Sequence, residues 1–147
     1  MQNFDEKIIS WAKRIAIPFS RFAIFLIYFW FGALKVFSAH AAANPLVLAL
    51  LDKTLPGVSP SAFLIAFGVF EMIIGLLFII PNLERLGLFV LALHLCMTIM
   101  PLFILPAFTW QGFLVPTIEG QYIIKNILII ALAFSILANL QTSKRGA

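Results

Sequence analysis

The chain has 147 residues, of which 63% are apolar and 11% charged, and its formal net charge is +4. A soluble domain holds roughly 45–50% apolar and about 25% charged residues, and a fold of this size leaves too much surface in water to hide the excess. An ordinary soluble enzyme and a disordered chain are therefore excluded, and a mean hydropathy of +1.07 points to an integral membrane protein about one domain long.

A bilayer core about 30 Å thick takes roughly 20 apolar helical residues. The first expected span runs over about 15–37. Its uncharged part is only Phe22 to Leu34, but Arg21 and Lys35 stand about 21 Å apart on a helix. Their stems can snorkel outward and lengthen it. A basic start, this apolar stretch and Ala39-His40-Ala41 also resemble a cleaved leader. Asp5, Glu6, the aromatic content and Lys35 argue instead for a retained helix. After it, Asn44 and Pro45 read as the cap and first turn of a short interfacial helix reaching Leu55.

The second span is expected over 62–80, opened by Ser59-Pro60 and stopped by Pro81-Asn82. The third covers 86–105, with Pro101 bending it. The link 81–85 is so short that these two form an antiparallel hairpin. The link 106–122 carries Trp110, Phe113 and Tyr122, residues suited to a membrane–water boundary. The fourth span is expected over 123–140. The fold class is thus all-α, a single-domain polytopic four-helix membrane bundle with one short interfacial helix in the first exterior link.

Four spans place both termini and the 81–85 link on one side. Lys7, Lys13, Arg14, Arg21, Arg85, Lys144 and Arg145 lie there, against Lys35, Lys53 and Lys125 opposite. The basic excess predicts cytoplasmic termini. The scattered cations do not form a nucleic-acid patch. Cys96 is the only cysteine and there are two histidines, so no disulfide, CxxC pair, haem, iron–sulfur or zinc ligand set is expected.

Charges inside a bilayer are costly unless paired or lining a cavity. Glu71 lies mid-span, with Gly68 at i−3 and Gly75 at i+4 on its face. Small residues let a second helix approach, so this face is expected to point into the bundle. His94 is also near mid-span and shares a face with Thr98 and Pro101. On the first span Arg21, Tyr28 and Lys35 recur every seven residues, with Gly32 on the same stripe. The expected buried cluster is Glu71, Lys35, His94 and Lys125, with Tyr28 nearby. Gly32, Gly68 and Gly75 are the expected helix-packing residues. Arg21 and Trp110 are the expected interface anchors.

Several stretches resemble the DoxX-like family of small bacterial membrane proteins. They are Phe31-Gly32-Ala33-Leu34-Lys35, Gly68-Val69-Phe70-Glu71 with Ile74-Gly75, and Glu119-Gly120-Gln121-Tyr122-Ile123-Ile124-Lys125-Asn126. Ala43-Asn44-Pro45-Leu46-Val47, and His94 followed by Thr98 and Pro101-Leu102, are similar to a bacterial branch of it. The resemblance covers about residues 15–140. It implies a four-helix bundle and an accessory subunit in a redox-linked or envelope-stress role. It implies no catalytic residue set. The chain itself shows no cofactor motif, so redox work would rest on a quinone held in the bundle or on a partner protein that carries the cofactor. Besides the lipid bilayer, homo-oligomerisation stays open. The competing reading is a structural or assembly protein whose buried ion pairs only specify helix packing. A transporter is disfavoured, because the polar positions stop at the midplane.

Overall fold

A computed structural model describes residues 2–38 and 45–140, with side chains from Phe4 onward. The Ala39-His40-Ala41 stretch, Ala43, the Asn44 cap and the Lys144-Arg145 tail lie outside the described residues. In chain order the elements are α1 (Gln2–Phe37), α2 (Pro45–Thr54), α3 (Pro60–Ile79), α4 (Glu84–Ile99), α5 (Pro101–Ile104), α6 (Pro106–Thr109), β1 (Trp110–Gly112), β2 (Val115–Pro116), α7 (Ile118–Ile124) and α8 (Ile127–Ala138). Four helical stretches among the described residues are long and apolar enough to cross a membrane: Phe4–Phe37, Pro60–Ile79, Glu84–Ile104 and Ile118–Ala138. The protein is an all-α four-helix bundle of the multi-pass membrane type.

The span boundaries differ from the expected ones in instructive ways. α1 begins at Gln2, well before the expected start near residue 15. The charges that ended the apolar run do not end the helix, because Asp5, Lys7, Lys13 and Arg14 are all helix-compatible. The third span is interrupted at Met100, directly before Pro101, which removes one backbone donor. The fourth begins at Ile118 rather than 123. Thr117 caps it by accepting a hydrogen bond from the Gly120 N–H at 3.1 Å, and a two-residue break at Lys125-Asn126 divides α7 from α8. The link before it holds a small antiparallel ribbon, β1 with β2, where the expectation was only a turn. Two strands of two or three residues leave the class unchanged.

α1 and α3 run antiparallel and share the most extensive contact in the bundle. Glycine makes it close. A Cβ at Gly32 would sit 2.5 Å from the Gly68 carbonyl oxygen, and one at Gly68 would sit 2.6 Å from that of Gly32. A Cβ at Gly75 would lie 3.0 Å from the Phe25 carbonyl oxygen. The expected packing role of these three glycines thus has its physical cause in backbone contact. α4 folds back on α3, and α8 packs against α1 and α4.

Two apolar clusters follow. One joins Ile24, Tyr28, Ile74, Phe78, Leu91, Leu95 and Ile136 across all four spans. The other joins Leu46 of α2, Leu105 and Ile123, with Ile99 and Leu102 against them. α2 is therefore a cap over the Lys35 end of the bundle. Its Lys53 Nζ donates to the Ile104 carbonyl at 2.9 Å.

Glycine packing gives a direct test. Overfilling a packed contact costs about 1–3 kcal/mol, so Gly32→Ala and Gly68→Ala should each destabilise the bundle by that order. Gly112→Ala should be neutral, since nothing lies within 4 Å of its Cβ position. Unfolding of the purified protein by rising SDS fraction in mixed micelles measures both, and equal stability of all three variants would refute the close-contact account.

Candidate functional site

The polar residues of three helices meet between the two apolar clusters. On α4, Leu91 and Leu95 belong to the first cluster and Ile99 to the second, and His94 and Thr98 lie between them. α3 presents Glu71 at the same level, and α1 presents Tyr28 and Lys35.

Lys35 Nζ donates to Glu71 Oε2 at 2.6 Å. Lys35 starts one helical turn nearer the α2 cap than Glu71, and its Cβ is packed against Gly68. The missing side chain at Gly68 gives the lysine stem room to run inward to the carboxylate. Both side chains are largely buried, at 15% and 9% exposure. Lys35 Nζ also stands 5.7 Å from the centre of the Phe67 ring.

The other carboxylate oxygen, Glu71 Oε1, lies 3.4 Å from His94 Nε2. This is ion-pair range but not a formed hydrogen bond, and Nε2 has no hydrogen-bond partner. On the far side of the ring, Nδ1 lies 3.2 Å from the Tyr28 hydroxyl and 3.3 Å from that of Thr98. Thr98 already gives its proton to the His94 backbone carbonyl at 2.8 Å. In the tautomer in which the Tyr28 O–H donates to Nδ1, the ring proton sits on Nε2, facing Glu71. Aromatic rings hold the imidazole: Phe67 stacks on it with centroids 5.2 Å apart, and Phe70 lies at 6.0 Å. Tyr28 meets it edge-on at 5.0 Å.

The result is a row of polar side chains in an apolar setting, hydrogen-bonded from Lys35 to Glu71 and between Tyr28 and His94, with a 3.4 Å gap between Glu71 and His94. Four of the five expected cluster residues are brought together. Lys125 is not among them. It is exposed, and its Nζ lies over the Tyr122 ring at 5.2 Å. The inward face of α7 is set by Gly120 and Ile123, both buried. Lys125 follows Ile123 by two residues, about 200° around the helix, so its stem starts on the far side. Among the described residues, no group of three His, Cys, Asp or Glu side chains is placed to hold a metal ion.

Arg21 does more than anchor the helix at an interface. Its Nη1 pairs with Glu84 Oε1 at 2.6 Å, and its Nε donates to the Phe78 carbonyl at 2.7 Å. Phe78 is in the last turn of α3 and Glu84 in the first turn of α4. One guanidinium thus satisfies a helix C-terminus and pairs with an acid placed favourably at a helix N-terminus. Sequence reasoning missed Glu84, although its place in the short 81–85 link put it at the same membrane level as Arg21. Trp110 is half-buried, and its indole N–H donates to the Leu102 carbonyl at 3.0 Å. That carbonyl lacks a helical donor because the residue four positions on is Pro106.

Removing one partner of a buried ion pair costs about 3–5 kcal/mol, because the remaining charge is stranded. Lys35→Met should approach that loss. The Lys35→Met/Glu71→Gln double variant should regain about 1–3 kcal/mol of it, the coupling usual for neighbours in one network. Lys125→Met should stay within about 0.5 kcal/mol of the parent protein. A double-mutant cycle read by denaturant unfolding checks all three, and strict additivity at Lys35 and Glu71 would sink the pairing.

No protein-family model, curated protein or solved structure matches this chain.

Proposed function

We propose that this small multi-pass membrane protein is a DoxX-like accessory subunit of the bacterial inner membrane. In this reading it works beside a redox partner, and its Lys35–Glu71–His94–Tyr28 chain exchanges a proton with a membrane-borne quinone. The Lys and Arg distribution supports cytoplasmic termini and an outward-facing Lys35 end. One observation carries the reading. His94 is 5% exposed, has a carboxylate on one side and a phenol on the other, and leaves Nε2 without a hydrogen bond.

A quinone needs hydrogen-bond donors at its carbonyl oxygens and an apolar surround. In this reading the donor is His94 Nε2–H, which is buried 3.4 Å from Glu71 Oε1, so a quinone reaches it only when the side chains around it part; Phe67 and Phe70 pack on the imidazole itself. Reduction of a quinone takes up protons with electrons, and the electrons would come from the partner protein. This chain's own share is to hold a proton at His94. An imidazole can hold a proton on either ring nitrogen and pass one on. Glu71 would stabilise the charged ring while Lys35 offsets the carboxylate. In this reading the Tyr28 hydroxyl donates to Nδ1 and so keeps the ring proton on the nitrogen that faces Glu71.

A second reading has its own support. The Gly32–Gly68 contact and the rings packed around His94 are what an ion pair used only to specify helix packing would also need. Reconstituting the protein in vesicles with menaquinone or ubiquinone separates the two. The proposal expects saturable binding, weakened at least about tenfold by His94→Gln or Glu71→Gln, which corresponds to about 1.4 kcal/mol. Absence of saturable binding in the folded parent protein would defeat the quinone reading. A stability loss in the variants without any binding would leave the packing role.

A further inference from the structure

α1 is longer than a membrane requires. Its 36 residues extend about 54 Å, whereas a bilayer core of about 30 Å takes roughly 20. Counted back from Phe37, the core is filled at about Pro18. The helix before that point is exposed along nearly its whole length.

That stretch is two-sided. Phe4, Ile8, Trp11, Ile15 and Phe19 recur in steps of four and three and so share one side. Phe4 is 70% exposed and Trp11 63%. Glu6, Lys7, Ser10, Lys13 and Arg14 occupy the other side, with Ile17 among them next to Pro18 and Ile9 at the edge. The apolar side does not stop at the membrane boundary. Phe22, Leu26 and Phe37 continue it along the spanning part of α1, where they are exposed on the outside of the bundle. One unbroken stripe therefore runs from the lipid-facing surface into the overhang. A straight helix would carry its first half into water.

Pro18 sits at the junction. It has no N–H for the Arg14 carbonyl, and proline is a principal cause of sharp bends in helices. We propose that residues 4–17 form an interfacial arm, bent at Pro18, whose apolar stripe lies in the headgroup–acyl boundary of the leaflet at the Arg21 end. The occupant of the stripe is lipid, because the stripe is continuous with a surface that already faces lipid. Lys7, Lys13 and Arg14 outnumber Asp5 and Glu6 by one, which favours anionic headgroups. The arm tethers the bundle to that leaflet independently of any chemistry at Glu71.

The test uses the full chain, with Cys96→Ser and a single new cysteine carrying an environment-sensitive fluorophore. The vesicles are phosphatidylcholine with a minority of phosphatidylglycerol. With Ile8→Cys, lipid-borne quenchers should reach the label and aqueous iodide should not. With Ser10→Cys, the order should reverse. Iodide access at both positions would overturn the proposal, because the arm would then stand free in water. Protection of the Ile8→Cys label from both quenchers would also overturn it, because protein rather than lipid would cover the stripe. Omitting phosphatidylglycerol should weaken lipid quenching at Ile8→Cys, and unchanged quenching would remove the part assigned to the cations.

Discussion

A carboxylate held midway along an apolar span must have a cation or a proton within reach, and much of this bundle is arranged around meeting that demand at Glu71. The Lys35 ammonium is delivered from the neighbouring helix by a stem that must pass the α3 backbone. Gly68 leaves the passage open, and Gly32 lets the two backbones come close enough for the stem to be short. His94 occupies the second carboxylate oxygen from a third helix. Replacing one small residue with a larger one would therefore disturb the helix contact and the electrostatics together. Close packing and charge pairing are one constraint here.

The same rule, that polar groups removed from water must find partners, explains the irregular end of the bundle. Proline interrupts the helices at Pro101 and Pro106 and deprives upstream carbonyls of donors. The Leu102 carbonyl that Pro106 deprives, and two further carbonyls near these helix ends, are served by side chains from a distance. Trp110 serves Leu102, Lys53 serves Ile104, and Thr117 serves the Phe108 carbonyl at 2.8 Å. These bonds join α2, the ribbon and the start of the fourth span to the end of the third. At the opposite end a single residue, Arg21, does comparable work for the α3–α4 hairpin.

The sequence made the spans and the depth of their polar residues legible because both depend on counting. Apolar length locates a span, and position within it locates depth. Glu71 and His94 were found this way, and Tyr28 and Lys35 by their seven-residue spacing with Arg21. Azimuth was less readable. Lys125 has the right depth for the cluster, yet Gly120 and Ile123 turn the inward face of α7 away from it. Glycine at 120 carried that signal, since a Cβ there would collide with the Thr109 carbonyl. Boundaries were read too strictly from charge. A helix does not need an apolar sequence to continue, so α1 runs on to Gln2 through residues that water accepts. Partnerships between links and span ends, such as Arg21 with Glu84, depend on the tertiary fold and leave only a trace in the sequence.

The polar chain is also one-sided. From Tyr28 it runs through His94 and Glu71 to Lys35, toward the end capped by α2. Toward the other end, Ile24, Ile74, Phe78, Leu91 and Ile136 close the bundle with apolar side chains. A charge or proton moving along such a chain meets polar partners in one direction and hydrocarbon in the other. That asymmetry disfavours a through-path for ions within a single copy. It suits a site that exchanges with one leaflet, or with a molecule entering laterally from it. The shape of the network thus limits the chemistry open to the protein more tightly than its residue types do. Glutamate, histidine and lysine in a membrane are compatible with a pump, a redox site or a packing device, and here their polar contacts extend toward the α2 end.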